Sequence, residues 1–310
     1  MKRETPYAVI DIGSNSLRLM TGTQDAFGIW KLSGKTLATT KLGNHMDETH
    51  HLWPEGMEAS FAAMDRWSKE LRDMHVCAIA TSAVREAVDG QAFLAEIRAR
   101  YGWHCRCIPG AEEAALSFCG AASALPANVT AAVLDIGGGS SELALGKGGE
   151  VLWSHSYPLG AVRLTKQPTW TMDDIEAMKD HCLQTLLPVP VQPDVVIGVA
   201  GTLTTVAAMD QKLDPYDPKK VECYVITKET IEGWIQKMQQ MTPEERQHVP
   251  GLQVKRSDII LPGLVIAWSF LEYYGQPSLR VSERDSMEGV FYKHAFYDAA
   301  SRVGDGNAWT

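Results

Sequence analysis

"AVIDIGSNSLRLMTG" occupies residues 8–22, and "AVLDIGGGSSELALG" occupies residues 132–146. Eight of the fifteen positions are identical when Asp135 is aligned with Asp11. Each stretch is an apolar strand that ends in Asp, followed by a glycine-rich turn and a second apolar strand. A single Asp-Gly turn is common in hairpins, but two copies with shared flanks indicate an internal duplication that serves one purpose.

The duplicated turns have the chemistry of a phosphate site. Glycine lets backbone N–H groups converge on an anion without interference from a Cβ atom. Hydroxyl donors and one cation are added by Ser14, Ser16, Ser140, Ser141 and Arg18. If Asp11 and Asp135 face each other across a cleft, they can hold Mg²⁺ directly or through water. Phosphoryl transfer needs little else from a protein besides a positioned nucleophile.

Composition and length restrict the class of protein. A chain of 310 residues is long for one core, so two domains are expected. The net charge of −9 argues against a broad basic surface for nucleic acid. No apolar run is long enough to span a bilayer, and no signal peptide is evident, so we expect no membrane partner. Scattered cysteines in a leaderless chain indicate a reduced, cytoplasmic protein.

The domain boundary is expected where the pattern of strands and helices is interrupted. Pro and Asn fall in the stretch 124–130, directly before the second copy of the turn. We therefore divide the chain into domains 1–126 and 127–310. The last helix, about residues 285–302, is expected to pack back on the first domain.

Two further features leave their interpretation open. "VVIGVAGTLTTVAAM" (195–209) predicts a buried strand followed by a helix that begins near Thr202. A helix N-terminus at Gly201 and Thr202 suits an anion or a nucleoside, but small residues there equally permit close packing of helix on strand. The basic pairs at 219–220 and 255–256 are typical of solvated surface, and they are also the groups best placed to guide a polyanion.

Seven stretches together resemble one known family. They are "AVIDIGSNSLRL", "ATSAVREA", "IPGAEEA", "VLDIGGGSSEL", "YPLGAVRLT", "GVAGTLTTVAA" and "RSDIILPGLVI". They occur in the order found in exopolyphosphatases and guanosine pentaphosphate phosphatases, and the resemblance covers nearly the whole chain. It implies an α/β fold of two ribonuclease-H-like domains, as in the actin, sugar-kinase and heat-shock ATPase superfamily. The active site would lie in the cleft between the domains.

The resemblance also implies roles for individual residues. Glu112 matches the carboxylate that activates the attacking water, with its neighbour Glu113 as the competitor. Both acidic residues are also favoured there simply by the helix dipole. The acids matched to divalent-metal binding are Asp11, Asp135 and Glu142. The residues matched to phosphate binding are Ser14, Asn15, Arg18, Arg85, Gly137, Gly138, Gly139 and Ser140.

The chain departs from the family pattern at three places. Ser141 replaces the usual Thr, which keeps the hydroxyl group. Asp285, Ser286 and Met287 stand where Gly-Leu-Arg commonly precedes Glu-Gly, and residues 222–223 read Glu-Cys instead of His-Gly. We expect these changes to affect substrate contacts from the last helices and to leave the cleft motifs untouched.

These observations predict a Mg²⁺-dependent (or other divalent-cation-dependent) hydrolase that releases terminal orthophosphate from inorganic polyphosphate. One alternative is removal of the terminal phosphate of guanosine pentaphosphate. A second alternative is a sensor that binds polyphosphate or a nucleotide without turnover. A homodimer is expected only on the general ground that two-fold dimers are the commonest assembly.

Overall fold

Two mixed β-sheets form around the two duplicated hairpins, in a computed structural model that describes residues 6–293. The strand order of the first sheet is β3-β2-β1-β5-β6, with β4 also paired to β2. Its strands are β1 (Tyr7–Ile12), β2 (Ser16–Gln24), β3 (Trp30–Leu32), β4 (Thr36–Thr39), β5 (His75–Ala80) and β6 (His104–Cys107). The helices of this half are α1 (Met46–Thr49), α2 (Pro54–Glu70), α3 (Ser82–Glu86), α4 (Gly90–Tyr101) and α5 (Gly110–Ala121).

The second sheet has the order β11-β12-β10-β7-β8-β9. Its strands are β7 (Thr130–Ile136), β8 (Ser141–Lys147), β9 (Glu150–Tyr157), β10 (Val195–Val199), β11 (Val225–Thr227) and β12 (Ser278–Val281). The helices are α6 (Met172–Thr185), α7 (Ala200–Asp210), α8 (Pro218–Val221), α9 (Lys228–Gln240), α10 (Pro243–Arg246), α11 (Ile260–Tyr273) and α12 (Ser286–Tyr292). Single 3₁₀ turns lie at Ala122–Ala124 and Val254–Arg256.

The two sheets repeat the same plan, which confirms the predicted fold class. In each, a first strand pairs antiparallel with the next strand and parallel with a later one: β1 with β2 and β5, and β7 with β8 and β10. The strands at the centre are buried on both faces, so they read as continuous apolar runs instead of alternating ones. Asp11 lies near the end of β1 and Asp135 near the end of β7, so each aspartate occupies the same position in its own sheet.

Each half contributes one helix to the other half. Helix α5 follows β6 of the first sheet, yet Phe118 packs with Val133 and Ala144 of the second sheet. Helix α12 follows β12 of the second sheet, yet Phe291 packs with Val9 of the first sheet. The division at 126/127 stays a prediction, and residues 294–302 of the expected last helix lie outside the described residues.

Helices α5 and α12 approach each other closely because glycine lies on both faces of their contact. A Cβ atom on Gly289 would lie 2.0 Å from the carbonyl oxygen of Leu116. A Cβ atom on Gly120 would lie 1.9 Å from the carbonyl oxygen of Asp285. Backbone atoms cannot yield as a flexible side chain can, so the crossing requires glycine at both positions.

We therefore predict opposite effects for two helical Gly→Ala substitutions. Gly289→Ala should lower the free energy of unfolding by about 3 kcal/mol, because the new methyl group separates α5 from α12. Gly233→Ala in α9, where a Cβ atom meets nothing within 4 Å, should raise it by about 0.5–1 kcal/mol through helix propensity. Urea denaturation of both variants measures the difference, and equal effects would contradict the packing argument.

Candidate active site

The two glycine-rich turns lie against each other and line one cavity of about 80 Å³. Both close with the same hydrogen bond, from Gly13 N to Ser16 O at 3.1 Å and from Gly137 N to Ser140 O at 3.0 Å. A Cβ atom on Gly139 would lie 2.6 Å from Ser14 Oγ. The absence of a side chain at position 139 therefore leaves room for the Ser14 hydroxyl where the two turns approach each other.

Most residues predicted for phosphate binding line this cavity. They are Ser14, Asn15, Arg18, Gly137, Gly138, Gly139 and Ser140. The buried Oδ1 atom of Asn15 has no hydrogen-bond partner in the described part of the chain. A buried polar atom without a partner costs free energy, so this atom marks a place for a bound polar group.

Asp11 and Asp135 end the central strands of the two sheets and are 5% and 6% exposed. Oδ2 of Asp11 accepts hydrogen bonds from Arg18 Nε at 2.8 Å and Nη2 at 2.5 Å. Oδ2 of Asp135 accepts from Ser117 Oγ at 2.7 Å. Burial raises the pKa of both carboxyl groups, that of Asp135 to about 6. Within residues 6–293, the Oδ1 atom of each takes part in no such bond.

The residues opposite these aspartates differ between the two halves. In the β1–β2 register Asp11 pairs with Arg18, and in the β7–β8 register Asp135 pairs with Glu142. Glu142 is 1% exposed, and its Oε1 accepts from Ser140 and Ser156, both at 2.7 Å. Burial, followed by the charge of Asp135, raises the pKa of Glu142 to about 7.

The predicted metal set of Asp11, Asp135 and Glu142 does not form a three-acid site. No group of three or more His, Cys, Asp or Glu side chains within residues 6–293 is arranged to hold a metal ion. The serine hydroxyls already hold Glu142. Asp11 and Asp135 still fit a divalent cation, because each has one oxygen outside the hydrogen bonds above. Mg²⁺ is commonly held by one or two carboxylates together with water and substrate phosphates.

The predicted catalytic carboxylate, Glu112, does not reach the cavity. It pairs with Arg106 of β6 through two hydrogen bonds of 2.8 and 2.5 Å, and its side chain is 36% exposed. Adjacent residues on a helix point about 100° apart. When one of the two glutamates at the start of α5 faces Arg106, the other therefore faces elsewhere.

Glu113 is the glutamate that lines the cavity. Its side chain is 13% exposed and lies 3.1 Å from Arg85 Nη1, which also donates to Ile108 O at 2.9 Å. Burial, followed by the charges of Glu142 and Asp135, raises the pKa of Glu113 well above its usual range. Ser117, four residues after Glu113, lies on the same face of α5 and donates to Asp135. The i, i+4 spacing of these two polar residues is the feature of the sequence that favours Glu113 over Glu112.

The third predicted turn also reaches the cavity, through Gly201 and Thr202. Helix α7 begins two residues earlier than predicted, at Ala200, whose φ of 68° lies in the left-handed region. Thr202 Oγ1 donates to Ile136 O at 3.1 Å, which ties the helix to the end of β7.

Arg256 lines the cavity as well, although its basic pair is typical of surface. A Cβ atom on Gly201 would lie 2.1 Å from Arg256 Nη2, so the absence of a side chain at position 201 leaves room for the guanidinium group. Among residues 6–293, no carboxylate pairs with Arg256. Burial, followed by the charge of Arg18, lowers its pKa to about 10. It is thus a partly buried cation beside a helix N-terminus, which is a favourable arrangement for an anion.

The expectation that the altered stretch at 285–287 leaves the cleft untouched is wrong. Ser286 lines the cavity, and Asp285 forms an ion pair with Arg18. Although burial acts to raise it, the charges of Arg18 and Lys35 hold the pKa of Asp285 well below its usual range. The exchange of helices explains this placement, because Asp285 is the N-cap of α12 and α12 packs on the first sheet.

Two mixed sheets with facing phosphate-type turns and a buried carboxylate define a phosphate-processing protein of α/β fold. The family model described as "Ppx/GppA phosphatase family" matches residues 24–297, and the chain belongs to this family. A Ppx/GppA family member from Aquifex aeolicus superposes with a TM-score of 0.80 at 29% identity, covering 95% of this chain and 98% of that chain.

This chain matches different fractions of the length of its relatives. Exopolyphosphatase 2 of Mycobacterium tuberculosis is 30% identical over 92% of this chain and 97% of its own length. The guanosine-5'-triphosphate,3'-diphosphate pyrophosphatase of Vibrio vulnificus is 26% identical over 93% of this chain, which spans 59% of that protein. A bifunctional 3-dehydroquinate synthase/phosphatase of Fusobacterium nucleatum is 26% identical, and 46% of it is covered.

None of the helices within residues 6–293 combines the length and the apolar character that crossing a membrane requires.

Buried carboxyl groups should make the protein less stable as the pH rises. The folded-state pKa of Glu142 is about 7 against an ordinary value of 4.5, so the folded state binds the proton more tightly. Its contribution is present below pH 4.5 and is lost as the pH rises towards 7. We predict that Glu142→Gln removes about 2–3 kcal/mol of this decline, since Gln still accepts from both serines.

Thermal melts of both proteins between pH 4.5 and 8, in phosphate-free buffer with a chelator, measure this decline. Glu58→Gln on the exposed face of α2 is the control and should leave the pH profile unchanged. Parallel profiles of the Glu142→Gln variant and the unaltered protein would contradict the assignment.

Proposed function

We propose that this protein is a phosphoanhydride hydrolase that releases the terminal orthophosphate of inorganic polyphosphate. The observation that carries the proposal is Glu113: a largely buried carboxylate, with its side chain 13% exposed, lines the same cavity as both glycine-rich turns. The turns would bind the reacting phosphate, and the carboxylate would bind the attacking water. No sugar-binding pocket is needed for this chemistry, and water serves as the nucleophile.

The backbone N–H groups of the two turns are the first binding elements for phosphate oxygens. Arg256 and the N-terminus of α7 face the same cavity and add positive charge. Asp11 and Asp135 would hold the divalent cation, Mg²⁺ or another, through their uncommitted oxygens. When bound, such a cation neutralises negative charge on the phosphate oxygens.

Glu113 would act as the general base. Arg85 fixes one of its oxygens at 3.1 Å, so the other oxygen has a defined direction. The raised pKa, caused by burial and by Glu142 and Asp135, makes the carboxylate a better proton acceptor than an exposed glutamate. It would take the proton of the water as oxygen attacks phosphorus and the anhydride bond breaks.

A second cavity of about 520 Å³ adjoins the first and shares Ser14, Ser82 and Gly139 with it. It is also lined by residues 43–46, 162–163 and 165–166. The reacting phosphate fills the small cavity, so the remainder of the substrate would extend into the larger one. Polyphosphate is favoured over guanosine pentaphosphate because the relative named exopolyphosphatase is 30% identical to this chain and the relative named guanosine pyrophosphatase is 26% identical.

The first test compares Glu113→Gln with the matched neighbour Glu112→Gln. We expect the first substitution to lower kcat for phosphate release from short-chain polyphosphate by about 10²–10⁴-fold, the usual range for a general base. The second should leave kcat within threefold, because Glu112 faces Arg106. Loss of activity in the Glu112 variant alone would contradict the assignment.

The same assay with Mg²⁺ separates the three functions. Higher kcat/KM on polyphosphate than on guanosine pentaphosphate supports the proposal, and the reverse order supports the alternative phosphatase. Binding of polyphosphate without metal-dependent turnover in the unaltered protein would instead identify a sensor.

Arg256 should act mainly in substrate binding. Replacing it with Gln removes a cavity-lining cation that no carboxylate in residues 6–293 neutralises, so KM for polyphosphate should rise at least about tenfold. The exposed neighbour Lys255 is the control, and Lys255→Gln should change KM less than twofold. Steady-state phosphate release measures both values, and equal effects would show that general charge, and not the position of Arg256, matters.

A further inference from the structure

The guanidinium group of Arg18 bridges two buried carboxylates from different parts of the chain. Its Nε and Nη2 atoms both donate to Oδ2 of Asp11, at 2.8 and 2.5 Å. Its Nη1 atom donates to Oδ2 of Asp285. Asp11 ends β1 of the first sheet, whereas Asp285 begins α12 after the last strand of the second sheet.

Asp285 is itself fixed from several sides. Its Oδ1 accepts the backbone N–H of Met287 at 3.0 Å as the N-cap of α12. Its backbone N–H donates to Glu288 at 2.8 Å, which completes the capping box. Lys35 Nζ lies 2.9 Å from Oδ2 of Asp285 and 3.0 Å from Glu288. The carboxylate therefore cannot follow Arg18 if the arginine moves.

This arrangement differs from the commonest geometry of an arginine–carboxylate pair. A guanidinium normally places two parallel N–H groups on the two oxygens of one carboxylate. Here Asp285 holds Nη1, and the Nε and Nη2 atoms both contact Oδ2 of Asp11. The Oδ1 atom of Asp11 lies outside this interaction.

We propose that Asp285 is a positioning residue that restrains Arg18 to one oxygen of Asp11 and so leaves the other oxygen for the divalent cation. The inference rests on the proposed function, in which Asp11 holds that cation. Without Asp285, Arg18 would turn to take both oxygens of Asp11. A cation would then have to displace the arginine before it could bind.

Mn²⁺ binding, measured by isothermal titration calorimetry without substrate, tests the proposal through a double-mutant cycle. The four proteins are the unaltered chain, Asp285→Asn, Arg18→Met and the double variant. Asn caps a helix as well as Asp does, so the first substitution preserves α12. We expect Asp285→Asn to weaken Mn²⁺ binding about 5–20-fold in the unaltered background and less than twofold in the Arg18→Met background, where no arginine competes for Asp11.

Glu288→Gln is the matched control for charge. It removes one carboxylate from the same cluster, retains a capping residue, and does not contact Arg18. Its effect on Mn²⁺ binding should stay below about twofold. Thermal melts establish that each variant is folded, and Arg18→Gln replaces Arg18→Met if the latter does not fold.

Three results would overturn the inference while leaving the cation site intact. They are an unchanged Mn²⁺ affinity in Asp285→Asn, equal weakening in both Arg18 backgrounds, and equal weakening by Glu288→Gln. A metal-free crystal structure of Asp285→Asn is the independent arm: Arg18 should contact both oxygens of Asp11, and contact with Oδ2 alone would overturn the inference. If the unaltered protein binds no Mn²⁺, the cation site of the proposed function fails and this inference fails with it.

Discussion

Four acidic side chains lie close together with little exposure to solvent, and the rest of the structure accommodates their mutual repulsion. Asp11, Asp135 and Glu142 are buried and Glu113 is largely buried, and the negative charges of neighbouring carboxylates raise the pKa of Glu113 and Glu142 further. Such a cluster is costly unless cations, hydroxyl donors or protons compensate it. The fold supplies Arg18, Arg85 and the serine hydroxyls for this purpose. A phosphate chain with its divalent cation would change the balance again, which is why the site suits a charged substrate.

The exchange of α5 and α12 between the halves is what assembles this cluster. A helix that stayed with its own sheet would present its polar residues to solvent. Because α5 packs on the second sheet, Glu113 lines the same cavity as Asp135, and Ser117 donates a hydrogen bond to that aspartate. Because α12 crosses in the opposite direction, Asp285 reaches Arg18. The glycines at the helix crossing are therefore linked to the chemistry as well as to stability.

The sequence was informative where local rules decide the structure, and less so where tertiary contacts decide it. The duplicated hairpins and their glycine turns were predictable because strand, turn and strand follow each other within fifteen residues. The choice between Glu112 and Glu113 was not, because both begin the same helix and only the position of Arg106 on β6 distinguishes them. The places of Asp285 and Arg256 were not predictable for a similar reason. The basic pair at 255–256 was interpreted as either solvated surface or a guide for a polyanion, and Asp285 was expected to leave the cleft untouched, because both lie far along the chain from the turns.

The duplication explains the likeness of the two walls, and the residues that differ explain the division of labour. Arg18 and Glu142 occupy the same register position, opposite Asp11 and opposite Asp135. On the first wall this gives a carboxylate paired with a permanent cation, and the charge of Arg18 opposes the rise in the pKa of Asp11 that burial causes. On the second wall it gives two adjacent carboxylates with separate hydroxyl donors, Ser117 for Asp135 and two other serines for Glu142, and burial raises their pKa values to about 6 and about 7. If both walls carried a glutamate at this position, the carboxylates would repel one another. If both carried an arginine, both aspartates would be paired with a cation of the protein. The change from Arg18 to Glu142 at this register position therefore gives the two aspartates different electrostatic surroundings.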